Sequence, residues 1–299
     1  MSPSGPVAFV LSGGGKMAST ELGMLAALAE AGIRPDIVLG SSAGAIIGAA
    51  FADRSGAGVL GSVYDCWTEI LTAPPLEWTI PHAVARLISP RARTEAQNCV
   101  RSIVQRHIKA RTFDELAVHF ECNAVQLGTL REHWFDSGPL IPALLSAGAA
   151  PAMIAHTKVD GANYIDGGFI NPVPVDRALH LGARTVYVLQ ASDFSEAPSF
   201  PRTLWEKGPT EGSFRFLFDK LLRDLPEGTE VHLLPIGRRS PPHGLNMLRR
   251  IYGFDTARAR YEGEHYMEAA YQATAAYLRL EGQVGKSARK RVGTRRPGA

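Results

Sequence analysis

Val7-Ala8-Phe9-Val10-Leu11 is an unbroken apolar run, the pattern of a strand buried on both faces of a parallel sheet. A glycine-rich stretch, Ser12-Gly13-Gly14-Gly15-Lys16, follows it. Leu22, Leu25, Ala26 and Ala29 then recur at helical spacing and predict a helix from Ser19 to Ala31 with one apolar stripe, stopped by Gly32. Asp36–Leu39 predicts a second strand and Ala45–Ala52 a second helix, with Gly40-Ser41-Ser42-Ala43-Gly44 between them. The chain therefore opens strand–helix–strand–helix, with both small-residue turns at carboxyl ends of strands. In open parallel sheets that edge is where ligands bind.

Further along, the pattern predicts helices over Val59–Leu71, Thr94–Ile108, Leu140–Leu145 and Val175–Leu181. Pro74–Pro81, rich in proline and holding Trp78, reads as a packed loop, and Val84, Leu87 and Ile88 keep helical spacing before Pro90. Phe120–Leu127 and Arg131–Phe135 flank Gly128-Thr129 as a hairpin. Tyr164-Ile165 is a strand-like run leading to Asp166-Gly167-Gly168. Thr185–Gln190 and Glu230–Pro235 complete the strands. Phe214, Leu217, Phe218, Leu221, Leu222 and Leu225 form an amphipathic stripe, read as packing on the core rather than lying at a lipid interface. A long helix, Thr256–Leu280 with Asp255 as N-cap, closes the fold. No internal repeat is present.

Composition narrows the class. A 299-residue chain with 45% hydrophobic and 20% charged residues is that of a globule with a sizeable core. The formal net charge is +3, but residues 286–299 hold six lysines and arginines and no acid, which leaves residues 1–285 at −3. A mildly acidic body argues against nucleic acid as a partner. Cys66, Cys99 and Cys122 are odd in number and have neither metal nor redox spacing, so reduced thiols and a cytoplasmic location are expected. The N-terminus lacks a basic n-region, and no apolar run approaches the ~18 residues that span a bilayer. Any membrane contact is then expected to be peripheral, through the basic tail and anionic lipid. That tail, polar from Gly282 onward, is expected to be disordered.

Three readings compete for Gly13-Gly14-Gly15. A phosphate-cradling P-loop fails, because Val10 and Met17 occupy positions that must be Gly and Ser or Thr. A dinucleotide fingerprint is met by Gly13, Gly15 and Ala18, but the second strand ends in Leu39-Gly40 with no acid for a ribose. In the third reading the glycine N–H groups form an oxyanion hole, where a missing Cβ lets a peptide approach a carbonyl oxygen. Gly40-Ser41-Ser42-Ala43-Gly44 fits Gly-x-Ser-x-Gly, a strained strand-to-helix turn that presents Ser42 at a helix N-terminus. Asp166, before two glycines, reads on its own as a common turn.

Taken in this order, Ser12-Gly13-Gly14-Gly15, Gly40-Ser41-Ser42-Ala43-Gly44 and Asp166-Gly167-Gly168 resemble the patatin-like phospholipases. Asn171-Pro172-Val173-Pro174 extends the likeness, which runs from about Val7 to Ala191. The resemblance implies a three-layer α/β/α fold with a central, mostly parallel sheet, in a single catalytic domain over residues 1–285. It implies a lipid or acyl-ester substrate, hydrolysis without a metal or cofactor, and a Ser–Asp dyad. Ser42 is then the nucleophile, Asp166 the base, and Gly13, Gly14 and Gly15 the oxyanion donors. The alternatives are a lipid transacylase and a weakly active or inactive binding protein of the same fold. An α/β-hydrolase triad is the rival enzyme, but Ser42 comes too early for it, and His180, His232, His243 and His265 sit in no motif. One departure concerns rate: where the family usually has x-Arg-Gly after its glycines, this chain has Lys16-Met17-Ala18.

Overall fold

A computed structural model describes residues 5–56, 58–76, 80–191, 221–237 and 256–292. The amphipathic stripe expected over 214–225 lies mostly outside them, as do Trp78, His243 and residues 293–299.

Among the described residues, eight strands form one sheet: β1 (Val7–Leu11), β2 (Ile37–Gly40), β3 (His119–Gln126), β4 (Arg131–Phe135), β5 (Thr157–Val159), β6 (Ala162–Asp166), β7 (Thr185–Leu189) and β8 (Glu230–Leu233). Their order is β5-β6-β3-β2-β1-β7-β8, with β4 paired to β3. The five strands β3-β2-β1-β7-β8 run parallel, β4 and β6 each pair antiparallel with β3, and β5 pairs antiparallel with β6. The apolar runs of β1 and β2 are buried on both faces, as central parallel strands must be. Alternation divides their side chains between two cores. Phe9, Leu11 and Val38 face α1 (Ser19–Glu30), α2 (Ala43–Ala52), α3 (Val59–Thr72), α5 (Pro90–His107) and α6 (Leu140–Ala147). Ala8, Val10, Ile37 and Leu39 face a second layer holding α7 (Val175–His180). This is a three-layer α/β/α arrangement around a mostly parallel sheet.

Three elements differ from the expectation, each for a physical reason. Helix α1 carries no single stripe: Glu21, Met24, Ala27 and Leu28 are buried along with Leu22 and Leu25. Its outer face is covered by α8 (Thr256–Val292), and a Cβ on Gly23 would stand 2.0 Å from Met267 O, so the two helices touch backbone to backbone there. Helix α8 itself continues past Leu280 to Val292, so Lys286, Arg289, Lys290 and Arg291 belong to a helix rather than to an irregular tail. Lys, Arg and Ala are good helix formers and the next proline is Pro297. Helix α5 starts at Pro90 rather than Thr94, because Ser89 Oγ caps it by accepting from Ala92 N–H at 3.3 Å and proline is well placed at the first helical position. Residues 80–88 form the further helix α4 (Ile80–Ile88).

Candidate active site

β1 and β2 are in register, with Leu11 opposite Gly40, so the two small-residue turns leave the sheet side by side. Ser41 N–H donates to Leu11 O at 3.1 Å and ties them together. Ser42 then adopts φ 53° and ψ −123° before α2 begins at Ala43. A non-glycine residue there is strained, and it persists only where its surroundings fix it. The surroundings are glycines. A Cβ on Gly40 would lie 2.5 Å from Ala45 Cα, and one on Gly44 would lie 2.6 Å from both Leu11 O and Ser12 O. The turn therefore closes only with glycine on both sides of the serines, and it holds Ser42 at the N-terminus of a ten-residue helix, the end that favours negative charge.

Asp166 reaches this turn by register. Strand β3 pairs with β2 only as far as Cys122, opposite Gly40, and then overshoots the carboxyl edge to Gln126. β6 runs back along the overshoot and brings Asp166 opposite Ala124. Ser42 Oγ donates to Asp166 Oδ2 at 2.6 Å across 124 positions of sequence. Asp166 Oδ1 accepts from Gly168 N–H at 2.8 Å, the carboxylate capping the short turn Gly167–Phe169. The residue is 4% exposed. Burial raises its pKa to about 6, while the hydrogen bonds from Ser42 and Gly168 pull it down.

The three glycines are not equivalent. Gly13 N–H donates to Pro172 O at 3.0 Å, so it anchors the loop and is withdrawn from the oxyanion trio that the resemblance implied. Gly13 also lies against the elbow, where an added Cβ would be 3.0 Å from Ser42 Cβ. Gly15 lines a cavity beside Ser42 and opens the 3-10 turn Gly15–Ala18. That cavity, of about 100 Å³, has walls from Ile46, Ile70, Leu71, Val100, Met153 and Ile154 together with the cations Lys16 and Arg86. Met17 packs against the large core while the buried Lys16 faces the cavity. On this turn the cavity wall has thus gone to Lys16, one position before the family's usual arginine.

Other residues that hold the site were not evident from sequence. Asn171 O, just after the Asp166 turn, accepts from Ser41 Oγ at 3.1 Å and from Asn123 Nδ2 at 2.9 Å. Asn123 is fully buried in β3, two residues after the buried Glu121 on the same face, and nothing in that mixed run marks it. Ser12 Oγ accepts from Ala191 N–H at 2.8 Å and donates to Glu21 Oε1 at 3.1 Å, beneath the glycine loop. Glu21 shares the helical face of Leu25 and Leu28, an acid where the pattern calls for an apolar residue. Among the described residues no histidine hydrogen-bonds to Ser42 or Asp166; His232 pairs with Tyr277, Nδ1 to Oη 2.8 Å. Nor do the described residues hold a His, Cys, Asp and Glu cluster able to bind a metal ion.

Comparison with known proteins gives the same family. The model of the patatin-like phospholipases matches residues 9–179, more than half of the chain. The chain is 27% identical over 193 residues to patatin-like phospholipase domain-containing protein 7 of Rattus norvegicus, a match covering 64% of this chain and 14% of that protein. It is 25% identical over 201 residues to a lysophospholipase of Aspergillus fumigatus, covering 64% of this chain and 12% of that one. An uncharacterized NTE family protein of Mycobacterium bovis is 30% identical over 174 residues, covering 58% and 46% respectively. The chain spans less than half the length of each of these relatives.

Proposed function

The chain belongs to the patatin-like phospholipase family, and on that premise we propose that it is a serine lipid acyl hydrolase working through Ser42 and Asp166. The observation that carries this reading is the 2.6 Å hydrogen bond from Ser42 Oγ to Asp166 Oδ2, made on a strained elbow beside an apolar cavity. Asp166 takes the hydroxyl proton as Ser42 Oγ attacks the ester carbonyl, and the cavity receives the acyl chain. When the tetrahedral intermediate collapses, the proton passes from Asp166 to the leaving alcohol and the acyl group stays on Ser42. Water then enters, gives its proton to Asp166 and displaces the fatty acid, and Ser42 recovers its hydrogen.

A carboxylate of ordinary acidity is a poor base for a serine. With its pKa near 6, Asp166 is about two units more basic and still mostly ionised at pH 7, close to the optimum for proton transfer at neutral pH. Gly14 and Gly15 are assigned as the oxyanion donors, aided by the α2 N-terminus and by Lys16 in the cavity wall. The lysophospholipase named among the relatives supports a single-chain phospholipid as substrate. Turnover of a lysophospholipid and of a short-chain p-nitrophenyl ester tests the assignment. Wild type should hydrolyse both and label with a fluorophosphonate, and Ser42→Ala should do neither. Equal turnover by the two proteins would remove Ser42 from the mechanism.

A further inference from the structure

Arg86 in the cavity wall belongs to α4, and this nine-residue helix has two unlike faces. Inward, Arg86 is buried and donates to Pro75 O at 2.8 Å. Outward, Val84, Leu87 and Ile88 are 49%, 63% and 75% exposed. Their spacing of three and four residues puts them on one side of the helix. Single exposed apolar side chains are ordinary, whereas three together on one short helix mark a contact surface.

Charge accompanies this apolar face. Residues 80–111 hold seven lysines and arginines and one acid, Glu95, within a body that is otherwise acidic. Arg91, which follows α4 directly, has a largely exposed side chain, held by a surface ion pair to the exposed Glu95 at 3.0 Å that is weak enough to yield to lipid phosphate. Arg93 Nη1 donates to Arg86 O at 2.8 Å and to Leu87 O at 3.2 Å, closing the last turn of α4 and fixing a second cation beside Leu87 and Ile88. The exposed Lys158 on β5 is close by in the fold, since Ala155 N–H donates to Arg93 O at 3.3 Å. Apolar side chains flanked by cations fit the boundary between headgroups and acyl chains of an anionic bilayer.

We propose that the exposed face of α4, with Arg91 and Arg93 at its end, docks the protein on an anionic lipid surface and brings the Ser42 cavity to the lipid it draws from. The choice of a bilayer rather than a protein as occupant rests on the lipid-hydrolase reading of that site. The surface is distinct from the basic C-terminal segment. It couples docking to catalysis through one helix, which lines the cavity on its inner side and meets lipid on its outer side.

The experiment is flotation with liposomes of phosphatidylcholine alone and of phosphatidylcholine mixed with phosphatidylglycerol, using the full chain carrying Ser42→Ala so that no lipid is consumed. Added to that chain, Leu87→Asp with Ile88→Asp should lower partitioning onto the mixed liposomes by at least ~10-fold, since two apolar side chains no longer enter the interface. Arg91→Glu should lower it ~5- to 10-fold and flatten its dependence on salt. With Ser42 restored, both variants should hydrolyse the soluble p-nitrophenyl ester at the wild-type rate, because none of these residues lines the cavity. Unchanged partitioning of the Leu87→Asp, Ile88→Asp protein overturns the proposal, as does equal or absent partitioning on the two liposomes. Flotation reads no turnover, so a protein that floats and hydrolyses nothing keeps the docking surface and loses the hydrolase reading. One that hydrolyses the soluble ester and never floats does the reverse.

Discussion

Ser42 with Asp166 and Ser12 with Glu21 are two serine–carboxyl pairs built into neighbouring parts of one molecule, and the environment separates them. Both carboxyls are buried and both accept from a serine hydroxyl, at 2.6 Å for Asp166 and 3.1 Å for Glu21. Asp166 lies at the end of a strand, where the following turn leaves Gly168 N–H free to bind its second oxygen. Glu21 lies in the first turn of α1, where Ser12 Oγ is its side-chain donor, and its Oε2 has no hydrogen-bond partner. Burial therefore pushes Glu21 well above the usual carboxylate range, while Asp166 is held near 6. Ser12, for its part, is consumed by Ala191 N–H and Glu21, whereas Ser42 stands on a strained elbow beside a cavity. Depth alone does not make a base. The donors that converge on a carboxyl set how far burial raises its pKa, and the backbone decides whether its serine meets a substrate.

The widest separation should appear in turnover. Asp166→Asn removes the proton acceptor and should lower kcat about 10²–10⁴-fold with little change in KM, whereas Glu21→Gln, isosteric and neutral, should stay within about 3-fold of wild type. Steady-state kinetics on the soluble ester reads both. A kcat in Asp166→Asn equal to that of Glu21→Gln would erase the distinction between the pairs.

Stability should register both pairs next, through pH. Each carboxyl binds its proton more tightly folded than unfolded, so ionisation opposes folding and stability falls as pH rises. For Asp166 the cost begins near the unfolded pKa, about 4, and is complete above about 6. The shift of about two units makes it about 3 kcal/mol. Asp166→Asn should therefore gain about 3 kcal/mol over wild type between pH 4 and pH 6.5 and then level off. Burial raises the folded pKa of Glu21 well above the usual range, so Glu21→Gln should likewise gain over wild type as pH rises from the unfolded carboxylate pKa. Urea unfolding at several pH values measures both slopes, and an advantage that does not grow with pH in either variant would refute the assignment.

Much of the frame was legible in the chain. The runs of β1 and β2 and the glycines around Ser42 carry their own signals, because central strands must be apolar throughout and the elbow tolerates little else at Gly40 and Gly44. The approach of Asp166 was not readable from local pattern. It depends on β3 outrunning β2 and on the short hairpin β5–β6, whose Asp160-Gly161 turn, with both φ positive, joins strands of three and five residues. Runs that short give too few alternations to be told from loop. Gly13 illustrates another limit: three consecutive glycines look alike in sequence, and only the partner Pro172 O distinguishes the anchor from the other two. Asn123, on the β3 face that also carries Glu121, and Glu21, on an apolar helix face, take their meaning from long-range partners that no spacing encodes.

The smallest and sharpest effect is the pH dependence of the rate. On the proposed mechanism only the ionised form of Asp166 accepts the Ser42 proton, so kcat/KM should be flat above about pH 7 and fall roughly tenfold per pH unit below about 6, following the fraction ionised in the free enzyme. Three proteins then test whether one carboxyl controls the profile. Wild type should show a midpoint near 6. Glu21→Gln should show the same midpoint, because Glu21 bonds to Ser12 and not to Ser42 or Asp166. The residual rate of Asp166→Asn should lose the step. A midpoint that moved in Glu21→Gln would mean that the two carboxyls exchange influence through Ser12 and the glycine loop, and they would then form one titrating unit rather than two pairs set apart by their surroundings.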